Sequence, residues 1–420
     1  MTQPDQRPAL LRFERWTRNR GDTGPNRLKL DVGGLTGRDQ GQDLDMIFAP
    51  LDGRYRDAPP GEYDRLIKLY HISPEFVGER ERSVTHSLGH QLGENGLETL
   101  WMHFLVKIPT TASQQNSVEP WLKWGFIMTW QPKTVTPTTG AGVKPEYSVT
   151  FLAFQPPFES TKALVDFIRS PTWTHVNTDP YVIVEVVISS WYQRVDSLAW
   201  EVTDLVREDE KRLFERARLL QSANSTSSSL HFSSLDLHGI HNSAKNTIYL
   251  VEALDAILRA VDKVLSAHKE LLPDPTNKWK PENRIWPNTH RLLQYRSELF
   301  HSTKLRVVSS HERIKNAVDL AFHLNNAQDS RINIINSRSV RIISIVGMVF
   351  IPFSAITSIF GTQFFRFPDD VTDHHMKISA DFWYLFATAI PVTIAIFGLW
   401  KASENYKLLG LSCQPREAAT

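Results

Sequence analysis

Residues 342–365 read IISIVGMVFIPFSAITSIFGTQFF, 24 positions without a charge between Arg341 and Arg366. About 20 apolar residues carry a helix across the hydrocarbon core of a bilayer, so this stretch predicts a transmembrane helix. A second uncharged run, 382–400, lies between Asp381 and Lys401, and its 19 residues suffice to cross back. Together they predict a membrane α-helical hairpin fed by a large water-facing body. That body would hold everything before residue 341.

The residues before the first span predict one long helix. From His290 to Pro352 there is no proline before the last position, and the only glycine is Gly347. About 75 residues at 1.5 Å each would make a rod of roughly 110 Å, which needs partners along its length. Ile314, Val318, Ala321, Asn325, Gln328, Ile332 and Ile335 alternate spacings of four and three, a heptad seam. Its two amides either fix register in a bundle or line an aqueous axis between copies. The 366–381 loop sets four aspartates against Arg366 and Lys377, whereas Arg331, Arg338, Arg341, Lys401 and Lys407 flank the other ends of the spans. The positive-inside rule then puts both termini on the cytoplasmic (or matrix) side and the acidic loop, with Asp369, Asp370 and Asp373, outside. Such a cluster at a pore mouth would concentrate cations through its field.

Upstream, 67–72, 100–108, 121–130, 147–154 and 181–188 are short β-branched, aromatic or apolar runs that predict strands. One helix is expected at 159–169, between two of them. The expected plan is a loosely structured leader over 1–60 with a short strand at 45–49, then an α/β cytoplasmic domain over 61–190. A helical bundle and stalk helix over 191–340, a two-helix transmembrane pore domain over 341–401 and a basic tail over 402–420 follow. In the bundle, Ile248, Val251, Leu254, Leu258, Val261 and Leu265 share one helical stripe.

Composition narrows the function. Over 420 residues the net charge is only +1, which argues against a nucleic-acid partner. Cys413 is the single cysteine, so a disulfide framework or a cysteine zinc site within one chain is excluded. The N-terminus lacks the apolar core of a signal peptide, and Asp5 and Glu14 argue against a transit peptide. No P-loop, nucleophile elbow or dinucleotide fingerprint is present. His86 and His90, four residues apart in HSLGH, would face one way on a helix and share an ion, but Gly89 disfavours that helix. Trp101, Trp121, Trp124 and Trp130 are expected as core and edge aromatics of the sheet.

A long helix entering the first of two spans, with Pro352 mid-span and Phe360-Gly361-Thr362-Gln363 nine residues on, resembles the CorA-type divalent-cation channels, in particular divergent fungal-type members. The family's signature there is an aromatic residue followed by Gly-Met-Asn. The resemblance is strong over 285–410 and architectural before that. It implies a homopentamer in the lipid bilayer with no cofactor beyond the transported hydrated cation, Mg²⁺ first, and transport rather than catalysis. Gly361, Thr362 and Gln363 would form the outer entrance, where Gln363 meets the cation through its bound waters; Mg²⁺ dehydrates reluctantly. One helical face running back from Gly361 holds Ser354, Ile351, Gly347, Ile343 or Ser344, Val340 and Ser337. By position these match the family's pore lining, with apolar rings able to gate by dewetting. Asn326 falls where the family has a regulatory carboxylate, so inhibition by internal Mg²⁺ is not expected. Thr362 and Gln363 depart from Met and Asn. Relaxed selectivity, another divalent ion such as Zn²⁺, or a non-conducting regulatory or scaffold subunit all fit that change. The expected location is the plasma membrane.

Overall fold

The computed structural model describes residues 12–31, 33–36, 42–49, 62–93, 96–109, 121–133, 146–222, 237–271, 285–360, 365–366, 377–378 and 383–410. They form two compact units, Met1–Phe322 and His323–Thr420.

The first unit is built on a seven-stranded sheet. Its strands are β1 (Arg12–Arg18), β2 (Asn26–Asp31), β3 (Leu44–Ala49), β4 (Ser87–Leu92), β5 (Glu98–Lys107), β6 (Trp121–Pro132) and β7 (Tyr147–Phe154). The spatial order is β2-β1-β3-β7-β6-β5-β4. All neighbours are antiparallel except β3 and β7, which pair in parallel from Leu44↔Val149 to Ala49↔Phe154. The strands expected at 45–49, 100–108, 121–130 and 147–154 are present; β1 and β2 lie where only a loose leader was expected.

Strand periodicity sends alternate side chains to opposite faces. Leu100, Met102, Phe104 and Val106 of β5 join Trp124, Phe126, Met128 and Trp130 of β6 in a core shared with the helical bundle. On the other face Phe13, Ile47, Trp101, Ile127, Leu152 and Phe154 meet Leu66, Tyr70 and Phe76 of two short helices, α1 (Glu62–Tyr70) and α2 (Pro74–Glu81). The sheet is therefore buried on both sides, which is why its central strands read as continuous apolar runs. Trp101, Trp124 and Trp130 are core residues as expected, while Trp121 is exposed.

Two of the expected strands are helices. The run 67–72 falls in α1 and its C-terminal turn, where Leu66 and Tyr70 bury the same face one helical turn apart. The run 181–188 opens α4 (Tyr181–Ser222), after α3 (Phe158–Arg169) and a short 3₁₀ turn. Asp179 Oδ1 accepts the Tyr181 N–H at 3.0 Å, capping the new helix. Ile183, Val184, Val187, Ile188 and Trp191 are wholly buried. A run buried on several sides carries little amphipathic signature, and its β-branched residues imitate a strand.

Three long helices complete the unit: α4, α5 (Leu237–Glu270) and the first part of α6 (Ile285–Phe360). The α5 core stripe is Leu250, Leu254, Ile257, Val261 and Val264; Ile248, expected on it, is exposed. Polar pairs fix the directions. Glu185–Arg296, Asp196–Thr303, Thr203–Ser310 and Glu210–Arg313 rise together along α4 and α6, so these helices run parallel. His268–His290, Asp255–Lys304 and Thr247–His311 run in opposite senses, so α5 is antiparallel to both. The heptad seam on α6 is buried at Ile314 and Ala321, but Val318, Ile332 and Ile335 are exposed and Asn325 and Gln328 are half-buried.

Candidate functional site

The second unit holds the later part of α6, a two-stranded ladder of β8 (Phe365–Arg366) with β9 (Lys377–Ile378), and α7 (Trp383–Gly410). Among the described residues, two helices are long and apolar enough to cross a membrane. The window in α6 has a mean hydropathy of 2.0, with none of it buried. The 20-residue stretch Trp383–Ala402 reaches 1.7, and within it only Leu385 and Ala389 are buried among the described residues. Apolar surface left in water costs about 25 cal/mol per Å², so these faces call for lipid or for other protein to cover them. Hydroxyls within both helices bond to backbone carbonyls a turn earlier: Ser344 to Val340, Thr357 to Phe353, Thr388 to Tyr384 and Thr393 to Ala389. Polar side chains are thereby satisfied without water, as a hydrocarbon environment demands. Pro352 and Pro391 sit inside the helices and each removes one N–H from the ladder.

At about 100° per residue, Ser337, Val340, Ile343, Gly347, Ile351 and Ser354 share one face of α6. All are exposed in the single chain except Gly347, which is half-buried; Ile343 and Ile351 are 70% and 72% exposed. Ile345, Met348, Pro352 and Ile356 are half-buried and centre roughly 120° away around the helix. Phe353 meets Phe386 of α7, ring centroids 6.3 Å apart. Phe360 closes α6. Gly361, Thr362, Gln363 and the loop residues Asp369, Asp370 and Asp373 lie outside the described residues. The ladder pairs Phe365 with Ile378 and Arg366 with Lys377. Asn326 is exposed on α6, while its neighbour Asn325 donates to Asp329 at 3.4 Å.

No family model matches the chain. A curated relative, Notoamide biosynthesis cluster protein M' of Aspergillus versicolor, is 24% identical over 236 residues, 54% of this chain and 50% of the relative. The chain thus spans about half the length of that relative. Among solved structures, full-length CmaX protein aligns with a TM-score of 0.40 and 14% identity, covering 95% of this chain and 99% of its own. The CorA magnesium transporter from Methanocaldococcus jannaschii aligns with a TM-score of 0.40 and 12% identity, covering 93% and 97%. The ZntB cytoplasmic domain from Vibrio parahaemolyticus reaches 0.34 and 9%, covering 77% and 98%. These are loose likenesses, and the architecture rests on the elements described above.

The body carries buried polar chemistry that periodicity alone did not reveal. His86 Nε2 accepts the Trp191 indole N–H at 3.0 Å, while His90 meets Glu98 at 3.0 Å from within β4. The two histidines are thus engaged by separate partners. Among the described residues no group of three or more His, Cys, Asp or Glu side chains is disposed to hold a metal. Gly89 is where it is because Trp101 covers it: a Cβ there would lie 2.0 Å from the indole ring. His103 stacks on Phe76 with centroids 4.5 Å apart and lies 3.5 Å from Glu79. Burial pushes the pKa of His86 down to about 3. It does the same to His103, helped by the charges of Arg80 and Lys123. A cavity of about 960 Å³ opens beside the start of α6, with His175, Glu185 and Arg291 among its walls. Glu185 is already held by Arg296 at 3.1 Å.

The α4–α6 ladder was also missed, although the signal was present. Asp196, Thr203 and Glu210 recur every seven residues, as do Thr303 with Ser310 and Arg306 with Arg313. Seven residues are almost two full turns, so each set forms one polar stripe facing its counterpart.

Proposed function

We propose that the chain is a CorA-like membrane channel for divalent cations, Mg²⁺ first, conducting through a homopentameric pore. The last third of α6 lines it, and α7 packs outside. Both termini face the cytoplasm, and the membrane is the plasma membrane. The observation that carries this reading is the uncovered face from Ser337 to Ser354 on an apolar helix, together with the sequence Gly361-Thr362-Gln363 that begins nine residues after Pro352. A ring of copies covers that face and turns it toward a shared axis. Hydroxyl rings at Ser337 and Ser354 would bracket the apolar rings at Val340, Ile343 and Ile351. At the entrance, Gln363 offers an amide oxygen to the waters of the hydrated ion, so the ion need not be stripped. Glutamine is one methylene longer than the family's asparagine and has more side-chain freedom to lose on ordering, which favours a looser filter.

The test is uptake of Mg²⁺ and Zn²⁺, reported by dyes, into liposomes holding the purified protein or Gln363→Ala. Flux that disappears or changes selectivity in the variant supports the entrance at Gln363. A protein shown to be pentameric that passes no divalent ion points to the second reading, a non-conducting regulatory or scaffold subunit, which the Thr362-Gln363 departure favours.

A further inference from the structure

His268, near the end of α5, has no exposure to water. Its Nε2 lies 3.3 Å from Asp179 Oδ2, just before α4, and its Nδ1 lies 3.2 Å from Nδ1 of His290, in the second turn of α6. The two imidazole centroids are 5.4 Å apart with planes 18° from parallel. Each ring nitrogen sits roughly 1.1 Å from its centroid, so the nitrogens face one another nearly head-on, the geometry of an N–H···N bond. Tyr181 lies against the other side of His268, centroids 5.0 Å apart. One buried imidazole therefore ties together the ends of all three bundle helices.

We propose that Asp179, His268 and His290 form a proton-sensitive lock that holds the first turns of α6 to the bundle at neutral pH and releases them in acid.

The proton count explains why. Ionised Asp179 only accepts, so His268 Nε2 carries a proton and donates it. The contact between the two Nδ1 atoms holds a single proton, carried by one ring and accepted by the other, so both nitrogens of the buried ring are paired. When both rings are fully protonated, two N–H groups face each other across that contact, and half-exposed His290 is the ring that can turn toward water. The new charge would stand in a partly desolvated site beside Lys269 on α5. Burial, His268 and Lys269 all hold the His290 pKa below the ordinary histidine value. The other groups facing the site are Tyr181 on α4, Tyr147 on β7, Glu98 on β5 and Glu270 on α5. Burial, reinforced by the charges of Glu98 and Asp179, keeps both tyrosines protonated. With a folded pKa below the unfolded one, the contribution to stability is complete above about pH 6.5 and is lost as pH falls beneath it. His290 regains water most directly when the start of α6 leaves the bundle.

Hydrogen exchange of the full-length protein in detergent tests this, read by mass spectrometry over residues 285–300 and corrected for the intrinsic pH dependence of exchange. Protection there should fall by up to about tenfold between pH 7.5 and 5.5, the limit for a group whose unfolded pKa is near 6.5. In His290→Gln, which keeps a polar side chain but does not titrate, the pH dependence should shrink below about twofold. In Asp179→Asn, which retains an oxygen for the α4 cap, loss of the nearby anion should move the midpoint of the change to lower pH. Equal pH dependence in wild type and His290→Gln, or an unmoved midpoint in Asp179→Asn, overturns the proposal.

Discussion

Acid should weaken the first unit through two histidines that the fold buries neutral, His86 and His103. Each has a pKa near 3 in the folded chain, against about 6.5 when unfolded. A histidine whose folded pKa is depressed contributes stability that is complete above the unfolded value and is lost as pH falls toward the folded one. For one such group the loss between pH 7.5 and 5.0 is about 2 kcal/mol, or about 4 kcal/mol for the pair. That is a large share of the 5–15 kcal/mol that holds a typical protein folded. The assay is urea unfolding of the full-length protein, followed by circular dichroism at both pH values. The same series is run on a His86→Gln, His103→Gln double variant, which cannot titrate at these sites. Carboxylates and the other histidines respond alike in both proteins, so the difference between the two pH shifts isolates the pair. At an m-value of about 3 kcal/mol per molar urea, the wild-type midpoint should fall more than 1 M further than the variant's. Equal shifts would refute the argument, because they would mean that water reaches the rings or that acid unfolds another region first.

Two further perturbations probe the sheet. Arg15 and Asp45, both buried, meet through two bonds of 3.0 and 2.9 Å; Asp45→Asn leaves a buried guanidinium short of its counter-charge and should cost about 3–5 kcal/mol, seen as a lower thermal midpoint. Gly89→Ala places a methyl on the Trp101 ring, and the overpacking should cost about 1–3 kcal/mol, accompanied by a changed tryptophan fluorescence.

Much of the fold was legible along the chain. The apolar spans, the unbroken stretch of α6 from His290 to Ile351, which has no proline, and strands β3, β5, β6 and β7 all announce themselves through long runs bounded by turn residues. Helix α1 was open to misreading because a six-residue window holds less than two helical turns. Helix α4 was misread because a run buried on several sides has no polar face to set its period. Strand β2 was hidden for a related reason: it is an edge strand with exposed Asn26, Arg27, Lys29 and Asp31, so four of its six residues look like loop.

Along the chain alone, two long apolar runs and one helical face holding Ser337, Val340, Ile343, Gly347, Ile351 and Ser354 could be read. Composition and spacing fix these because they depend on neighbours within a turn or two. Only the tertiary structure decided which distant residues meet. The parallel pairing of β3 with β7, the bond between His86 and Trp191, and the meeting of Asp179, His268 and His290 join segments from 22 to more than 100 residues apart. No local period encodes such contacts, since each forms only when the layers close on one another and bury polar groups that must then find a partner.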